Sequence, residues 1–290
     1  MGWETWTHRR RRVAELFTKS RVPLCGGRYE LPYCGRGITP FPSDYVLSPW
    51  APFTVQPVRS LFPGSFVDVG SNIGQTMLFI KDCDANWDYI GFEPNPNCFV
   101  VAKQIAEANA LEGCRLVPAG LSDRSGLLEL ESNSATDPAA SLISGFRAAS
   151  RMKLRSHVTV VHGDETLDQM GCNKVGFLKI DVEGGELEVL RGLRRRLHKC
   201  RPLVICEVLA LHDGNSVGDF RVLRQRELEK ILREEGFSIL RIESPSAVRR
   251  VPQVPDDGRR DLVDYFFVPD ESLPALSSVL DAQGVTVSHA

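Results

Sequence analysis

The sequence lacks several signals that would decide its class outright. Its 8 cysteines include no C-x-x-C pair and no compact Cys/His cluster with zinc spacing, so the thiols should be reduced. Cys25 and Cys34, the nearest to a local pair, lie in a Pro/Gly-rich stretch and read as two thiols rather than a disulfide. No apolar run approaches the ~20 residues needed to span a bilayer, and the N-terminus has no signal-peptide core. A cytoplasmic chain without a transmembrane segment is therefore expected. Net charge is nearly absent: 35 Lys and Arg against 37 Asp and Glu give −2, which argues against a nucleic-acid binder, whose footprint is strongly basic. No internal repeat and no long low-complexity tract occurs.

What is present suits one large α/β core: 290 residues, 42% hydrophobic and 25% charged, with room for an added N-terminal layer. Strands are expected at Ser65–Val69, Tyr89–Phe92, 115–118, Gly176–Ile180, Leu203–Glu207, Phe237–Ile242 and Leu262–Val268. Helices should follow at about 73–81, 95–109 (with Asn95 as cap), 185–197 and 222–235. Repeated βα units predict a doubly wound, mainly parallel sheet with helices on both faces. Two regions break the rhythm. Leu127–Glu131 and His157–Val161 read as added strands around a Ser/Ala-rich insert, Ser132–Ser150, which either covers a ligand or is a surface loop. Residues 1–63 form an N-terminal extension rich in Pro, Gly and aromatics, and 271–290 read as a C-terminal tail after a domain spanning 64–270. Within the extension, the basic run His8-Arg9-Arg10-Arg11-Arg12 followed by Val13, Leu16 and Phe17 reads as a solvated helix face, with weak peripheral membrane contact as the alternative.

Asp68-Val69-Gly70-Ser71-Asn72-Ile73-Gly74 follows the first strand and has the character of a cofactor-pocket floor. Glycines at a strand end let backbone N–H groups approach a ligand, and the next helix points its positive end there. Glu93 lies near the ~20-residue spacing at which an acid meets ribose hydroxyls. The dinucleotide pattern G-x-G-x-x-G is missing, and Asp68 would repel a pyrophosphate but attract an ammonium group. S-adenosylmethionine thus fits better than NAD, although a tight βα turn without a ligand has the same outline.

Ligands of such sheets bind beyond the carboxyl ends of the strands, where this chain places Asp68, Glu93, Asp181 and Glu207. Lys179 and Asp181 share one side of their strand, with Glu183 just after. Asp181 is the first candidate for a general base, with Glu183, Glu207 and His212 in reserve. Asp181 or Glu183 could equally cap the following helix, His212 could be a solvent-loop histidine, and His162 near another strand end is similarly open. Mg²⁺ among these carboxylates, joined by His212-Asp213, is a further option.

The string Phe177-Leu178-Lys179-Ile180-Asp181-Val182-Glu183-Gly184-Gly185-Glu186-Leu187-Glu188-Val189-Leu190-Arg191-Gly192, taken with the turn 68–74 and Glu93-Pro94-Asn95-Pro96, resembles the FkbM family of S-adenosylmethionine-dependent methyltransferases. Leu121-Ser122-Asp123, Thr166-Leu167-Asp168 and Pro202-Leu203-Val204-Ile205-Cys206-Glu207 continue the match in order, from about Phe66 to Glu207. Ser71 stands where the family usually has alanine, one small residue for another. The resemblance implies a seven-stranded class I (Rossmann-like) methyltransferase sheet and a small-molecule or glycan hydroxyl acceptor on a sugar, cell-surface glycan or natural product. It also implies a serine near Ser141. Within this reading Asp68, Gly70, Ser71, Asn72 and Gly74 hold the methionine end, Glu93 the ribose, and Ser122 with Asp123 lie near adenine. The rival readings are an NAD-dependent oxidoreductase or epimerase and a non-catalytic cofactor-binding partner protein.

Overall fold

The computed structural model describes residues 20–24, 27–31, 50–54, 57–146, 152–211 and 218–289. The basic run at 8–12, Cys25, Cys34 and His212-Asp213 lie outside them. In chain order the elements begin with β1 (Ser20–Leu24), β2 (Gly27–Leu31) and α1 (Val58–Leu61). There follow β3 (Ser65–Val69), α2 (Gln75–Cys83), β4 (Tyr89–Phe92), α3 (Pro96–Ala108), β5 (Cys114–Val117), β6 (Gly120–Ser122), β7 (Gly126–Ser132) and β8 (Leu154–His162). Next come α4 (Gly163–Gln169), β9 (Val175–Ile180), α5 (Glu186–Gly192), α6 (Arg194–Cys200), β10 (Leu203–Glu207) and α7 (Gly218–Glu234). The chain then forms β11 (Phe237–Ser244), β12 (Ala247–Val251), β13 (Asp264–Pro269), α8 (Leu273–Ala282) and β14 (Thr286–His289).

The main sheet has nine strands in the order β14-β12-β11-β13-β10-β9-β3-β4-β5 and is mixed, where seven mainly parallel strands were expected. Strands β5, β4, β3, β9 and β10 are parallel, and β4 and β9 are runs buried along their whole length, as strands covered on both faces should be. The other half departs because its connections are short. Only Gly-free residues 245–246 separate β11 from β12, too few for the crossover of a dozen or more residues that a parallel pair needs, so the two form an antiparallel hairpin. β13 inserts antiparallel to both β10 and β11. β6, β8 and β7 form a separate sheet, which contains the two strands expected around the insert and a third, β6, that was not. The hairpin β1-β2 stands apart from both.

Side chains alternate between the two faces of the main sheet and build a core on each. One face carries an aromatic cluster in which Phe66 stacks on Phe177 at 5.9 Å and Trp87 meets Phe177 edge-on at 5.1 Å. The other carries aliphatic residues such as Val67, Leu178, Leu190 and Leu232. Trp50, Phe53, Val58 and Phe62 are buried in the aromatic core, so position 63 marks no gap in packing. The segment read as a tail is likewise structural: α8 buries Leu276 and Leu280, and β14 pairs with β12. The single helix expected over 185–197 is broken at Leu193. Gly192 there lies so close to the Ser122 carbonyl that a Cβ would come within 2.0 Å of the oxygen. No helix among the described residues is long and apolar enough to cross a membrane.

Candidate active site

A cavity of 320 Å³ opens at the carboxyl ends of β3, β4, β9 and β10. One wall is the glycine turn, with Gly70, Ser71, Asn72 and Glu93. The opposite wall is acidic, with Lys179, Asp181, Glu183 and Glu207, and Ser122, Leu142 and Ile143 enclose the space between.

The glycine turn is shaped by its backbone. Gly70 and Gly74 have φ of 84° and 90°, and Asn72, a residue type that tolerates the left-handed region, has 47°. The Gly70 and Ser71 N–H groups donate to the Phe92 carbonyl, at 3.0 Å each. Glu93 ties the turn to β4: its carboxylate accepts from Asn72 N at 2.8 Å and from Asn95 N at 2.7 Å. Burial pushes the Glu93 carboxyl up to about 7 against the pull of those two N–H donors. Asn95 caps α3, as expected, accepting from Asn97 N at 3.0 Å. Gly70 is required by its neighbour rather than by an open pocket, since a Cβ would lie 1.8 Å from the Asp181 carbonyl oxygen.

Three expected contacts are not brought to the cavity. Gly74 lies behind the turn against Met77 and Ala102, and Asp123 does not line the walls, although Ser122 does. Asp68 is completely buried beneath the floor, where it accepts from Tyr89 Oη at 2.6 Å and from Lys179 Nζ at 3.3 Å. His162 stands at the end of β8 beside Ser122, outside the lining, and His212 is beyond the described residues.

Lys179 organises the acidic wall. Its Nζ donates to Asp68 and, at 3.2 Å, to Asp181. Burial works against the ammonium, but the charges of Asp181 and Asp68 outweigh it and hold the lysine protonated above its ordinary range. Burial would also raise Asp181, yet Lys179 and a hydrogen bond from Glu207 hold it below the usual carboxylate range. Glu207 shows the opposite response: burial and the Asp181 charge push it up to about 9, so at neutral pH it keeps its proton and donates to Asp181. Asp264, across the β10–β13 pair, is raised to about 6 by burial. Oxygens of Asp181, Glu183 and Glu207 lie within 4.8 Å of one another, a spacing that could hold a cation, but Lys179 already supplies one to Asp181.

Helix α5 starts after Gly185, which carries no side-chain cap, and its first residue, Glu186, accepts from Gly184 N at 2.8 Å. Asp181 and Glu183 line the cavity, and Glu183 sits in the left-handed region at φ 56°.

Described residues of the insert form part of the lining. Asp137, Pro138, Ala140, Leu142 and Ile143 line the cavity, and Ser141 Oγ donates to the Glu183 carbonyl at 2.7 Å. Sequence reasoning placed Lys179 beside Asp181 but gave it no role, and it missed the insert's apolar lining. The strand period carried the first signal; nothing local carried the second.

An open sheet whose parallel half presents a glycine turn and an ionisable cluster at its carboxyl edge defines a Rossmann-like α/β fold. Residues 68–239 match the methyltransferase FkbM domain, and the chain belongs to that family of methyltransferases. It is 26% identical over 205 residues to methyltransferase sdnD of Sordaria araneosa, covering 60% of this chain and 74% of that protein. Hexuronic acid methyltransferase AglP of Haloferax volcanii is 30% identical over 176 residues, 59% of this chain and 68% of that one. The 31-O-demethyl-FK506 methyltransferase FkbM of Streptomyces tacrolimicus is 28% identical over 216 residues, 64% and 77% of the two chains. The solved methyltransferase FkbM of Methylobacillus flagellatus KT superposes with a TM-score of 0.46 at 17% identity; the match covers 77% of this chain and about half, 48%, of that one.

Proposed function

We propose that the protein is an S-adenosylmethionine-dependent O-methyltransferase acting on a hydroxyl of a sugar, glycan or natural product. The observation that carries the reading is the pairing, across one 320 Å³ cavity, of a carboxylate-anchored glycine turn with Asp181, whose carboxylate is held by Lys179 Nζ at 3.2 Å. The volume is within the ~300–1,000 Å³ range of small-ligand sites. Glu93 suits a ribose, because a carboxylate that already accepts two N–H bonds retains lone pairs for hydroxyl donors. Leu121, Pro94, Leu142 and Ile143 offer apolar contact for a base. Asp68 acts in this scheme through Lys179 and not by direct contact.

S-adenosylmethionine supplies an electrophilic methyl group on a sulfonium. Asp181, the ionised member of the pair at neutral pH, accepts the proton of the attacking hydroxyl. Lys179 fixes its orientation, and Glu207 retains a proton beside it. The insert, by lining the cavity, holds the reactants in line and limits water. The relatives named above include one named for a hexuronic acid and one for 31-O-demethyl-FK506, and the latter name supports oxygen as the acceptor atom.

Calorimetric titration with S-adenosylmethionine and, in parallel, with NAD tests the cofactor; binding of NAD alone would replace this reading by the oxidoreductase. Mass spectrometry of acceptor pools incubated with enzyme and S-adenosylmethionine tests transfer. A bound cofactor with no product from sugar or polyol hydroxyls would favour the non-catalytic partner instead.

A further inference from the structure

The insert does more than line the cavity. Its described end is gripped from behind by a residue of α7 that is not among those lining the cavity. Arg221 is nearly fully buried, at 3% exposure, and its guanidinium lies over the Phe146 ring at 4.5 Å. One Nη donates to the Phe146 carbonyl, and the other reaches the Ala210 carbonyl at 3.4 Å, three residues past Glu207. The Phe146 ring in turn packs on Gly184, so closely that a Cβ there would lie 2.5 Å from the ring. One turn further along α7, Arg224 donates to the Gly184 carbonyl at 2.8 Å and pairs with Glu188, which lines the cavity. At its other end the insert is tied to the glycine-turn side, where Asn95 Nδ2 donates to the Ala135 carbonyl at 2.9 Å.

We propose that Arg221 is the positioning residue that clamps the insert over the cavity, joining Phe146, the Asp181–Gly185 turn and the segment after β10 into one unit. The inference rests on the cofactor reading of the cavity. The planar fork of an arginine is suited to this task, because it can bond two carbonyls and stack on a ring at the same time. Two segments remote in sequence, at Phe146 and Ala210, meet on its guanidinium, and Phe146 carries the contact on to Gly184, so its loss frees Phe146 while Ser141 and Asn95 still hold the rest of the insert. The ligand would then enter and leave more readily without losing a direct contact.

The test uses the full chain, with S-adenosylmethionine as the probe in stopped-flow binding. Arg221→Met should raise the association and dissociation rate constants together, each by roughly tenfold, so that Kd moves less than either, as for a loosened gate. Arg221→Lys should be intermediate. Phe146→Ala, which keeps Arg221, should reproduce the effect and serves if Arg221→Met folds poorly. A merely structural role would lower the melting temperature and leave the rate constants of the folded fraction alone. The proposal is overturned if both variants fold and their rate constants stay within about twofold of wild type. A rise in dissociation alone also overturns it, since that is the pattern of a lost ligand contact. Failure of the wild type to bind S-adenosylmethionine is a different result: it overturns the cofactor reading and the clamp with it.

Discussion

The turns after β3 and β9 leave neighbouring strands at the same sheet edge, yet they solve the problem of presenting polar groups in opposite ways. In the first, Gly70–Gly74, backbone conformation shapes the wall, and its N–H groups are taken up by the Phe92 carbonyl, the Glu93 carboxylate and bonds within the turn. In the second, Asp181–Gly185, the side chains are the functional surface. Lys179, within β9, holds the Asp181 carboxylate, while Ser141 of the insert and Arg224 of α7 hold the backbone carbonyls of Glu183 and Gly184. A backbone surface needs residues that tolerate positive φ and so writes itself as glycine and asparagine. A side-chain surface depends on how its charges are answered, which is decided by packing.

Gly70→Val would break the comparison where the two turns touch. The side chain meets the Asp181 carbonyl in a conformation that branched residues avoid, so about 4 kcal/mol or more of stability should be lost, and cofactor binding with it. Urea denaturation and calorimetry check this; a well-folded variant with normal binding would make the contact dispensable. Next in size is Asp181→Asn, which keeps the shape of the acidic wall and removes its charge. Turnover should fall by roughly 10²-fold with cofactor affinity changed only a few-fold, and added chelator should alter neither protein, because Lys179 supplies the cation. Full turnover in the variant would move the base to Glu207 or Glu183.

Glu93→Gln sharpens the other side. An amide can accept one of the two N–H bonds but offers the second an N–H of its own, so S-adenosylmethionine binding should weaken by about 1.5–3 kcal/mol. Alanine is the poorer test, since it would also release the turn. The smallest effect concerns pH. Burial pushes Glu186 up to about 7, above its ordinary 4.5. A carboxyl raised on folding contributes stability that is complete below about 4.5 and is lost as the pH rises through about 7. Glu186→Gln should therefore flatten the stability profile over that window and gain about 1 kcal/mol at pH 8 relative to wild type, read from denaturation at pH 5 and pH 8. An unchanged slope would mean that the Gly184 N–H and Arg224 already satisfy the charge.

Much of the parallel half was legible. Strands β3, β4 and β10 fall where their apolar runs place them, and Asn95 caps the helix that its position before Pro96 announces. In the far half β11, β13 and α7 also fall near their expected places, but β12 and β14 were not foreseen, because they exist by pairing with β11 and with each other. Asp68 illustrates the same limit inside the site. Its place beside the glycine turn suggests a ligand contact, but the strand period turns it inward, where Tyr89 and Lys179 meet it.

The sequence by itself determined the turn geometry, the strand ends that bear the acids and the family, since these depend on φ, on the alternation of side chains and on motifs in order. Only the tertiary structure decided which acid is ionised, what lines the cavity and which strands close the sheet. The protonation of Asp181 and Glu207 is set by Lys179 and by burial, and the insert's end is fixed by Phe146 and Arg221, 75 residues apart. Those are sums over neighbours that the chain brings together only on folding.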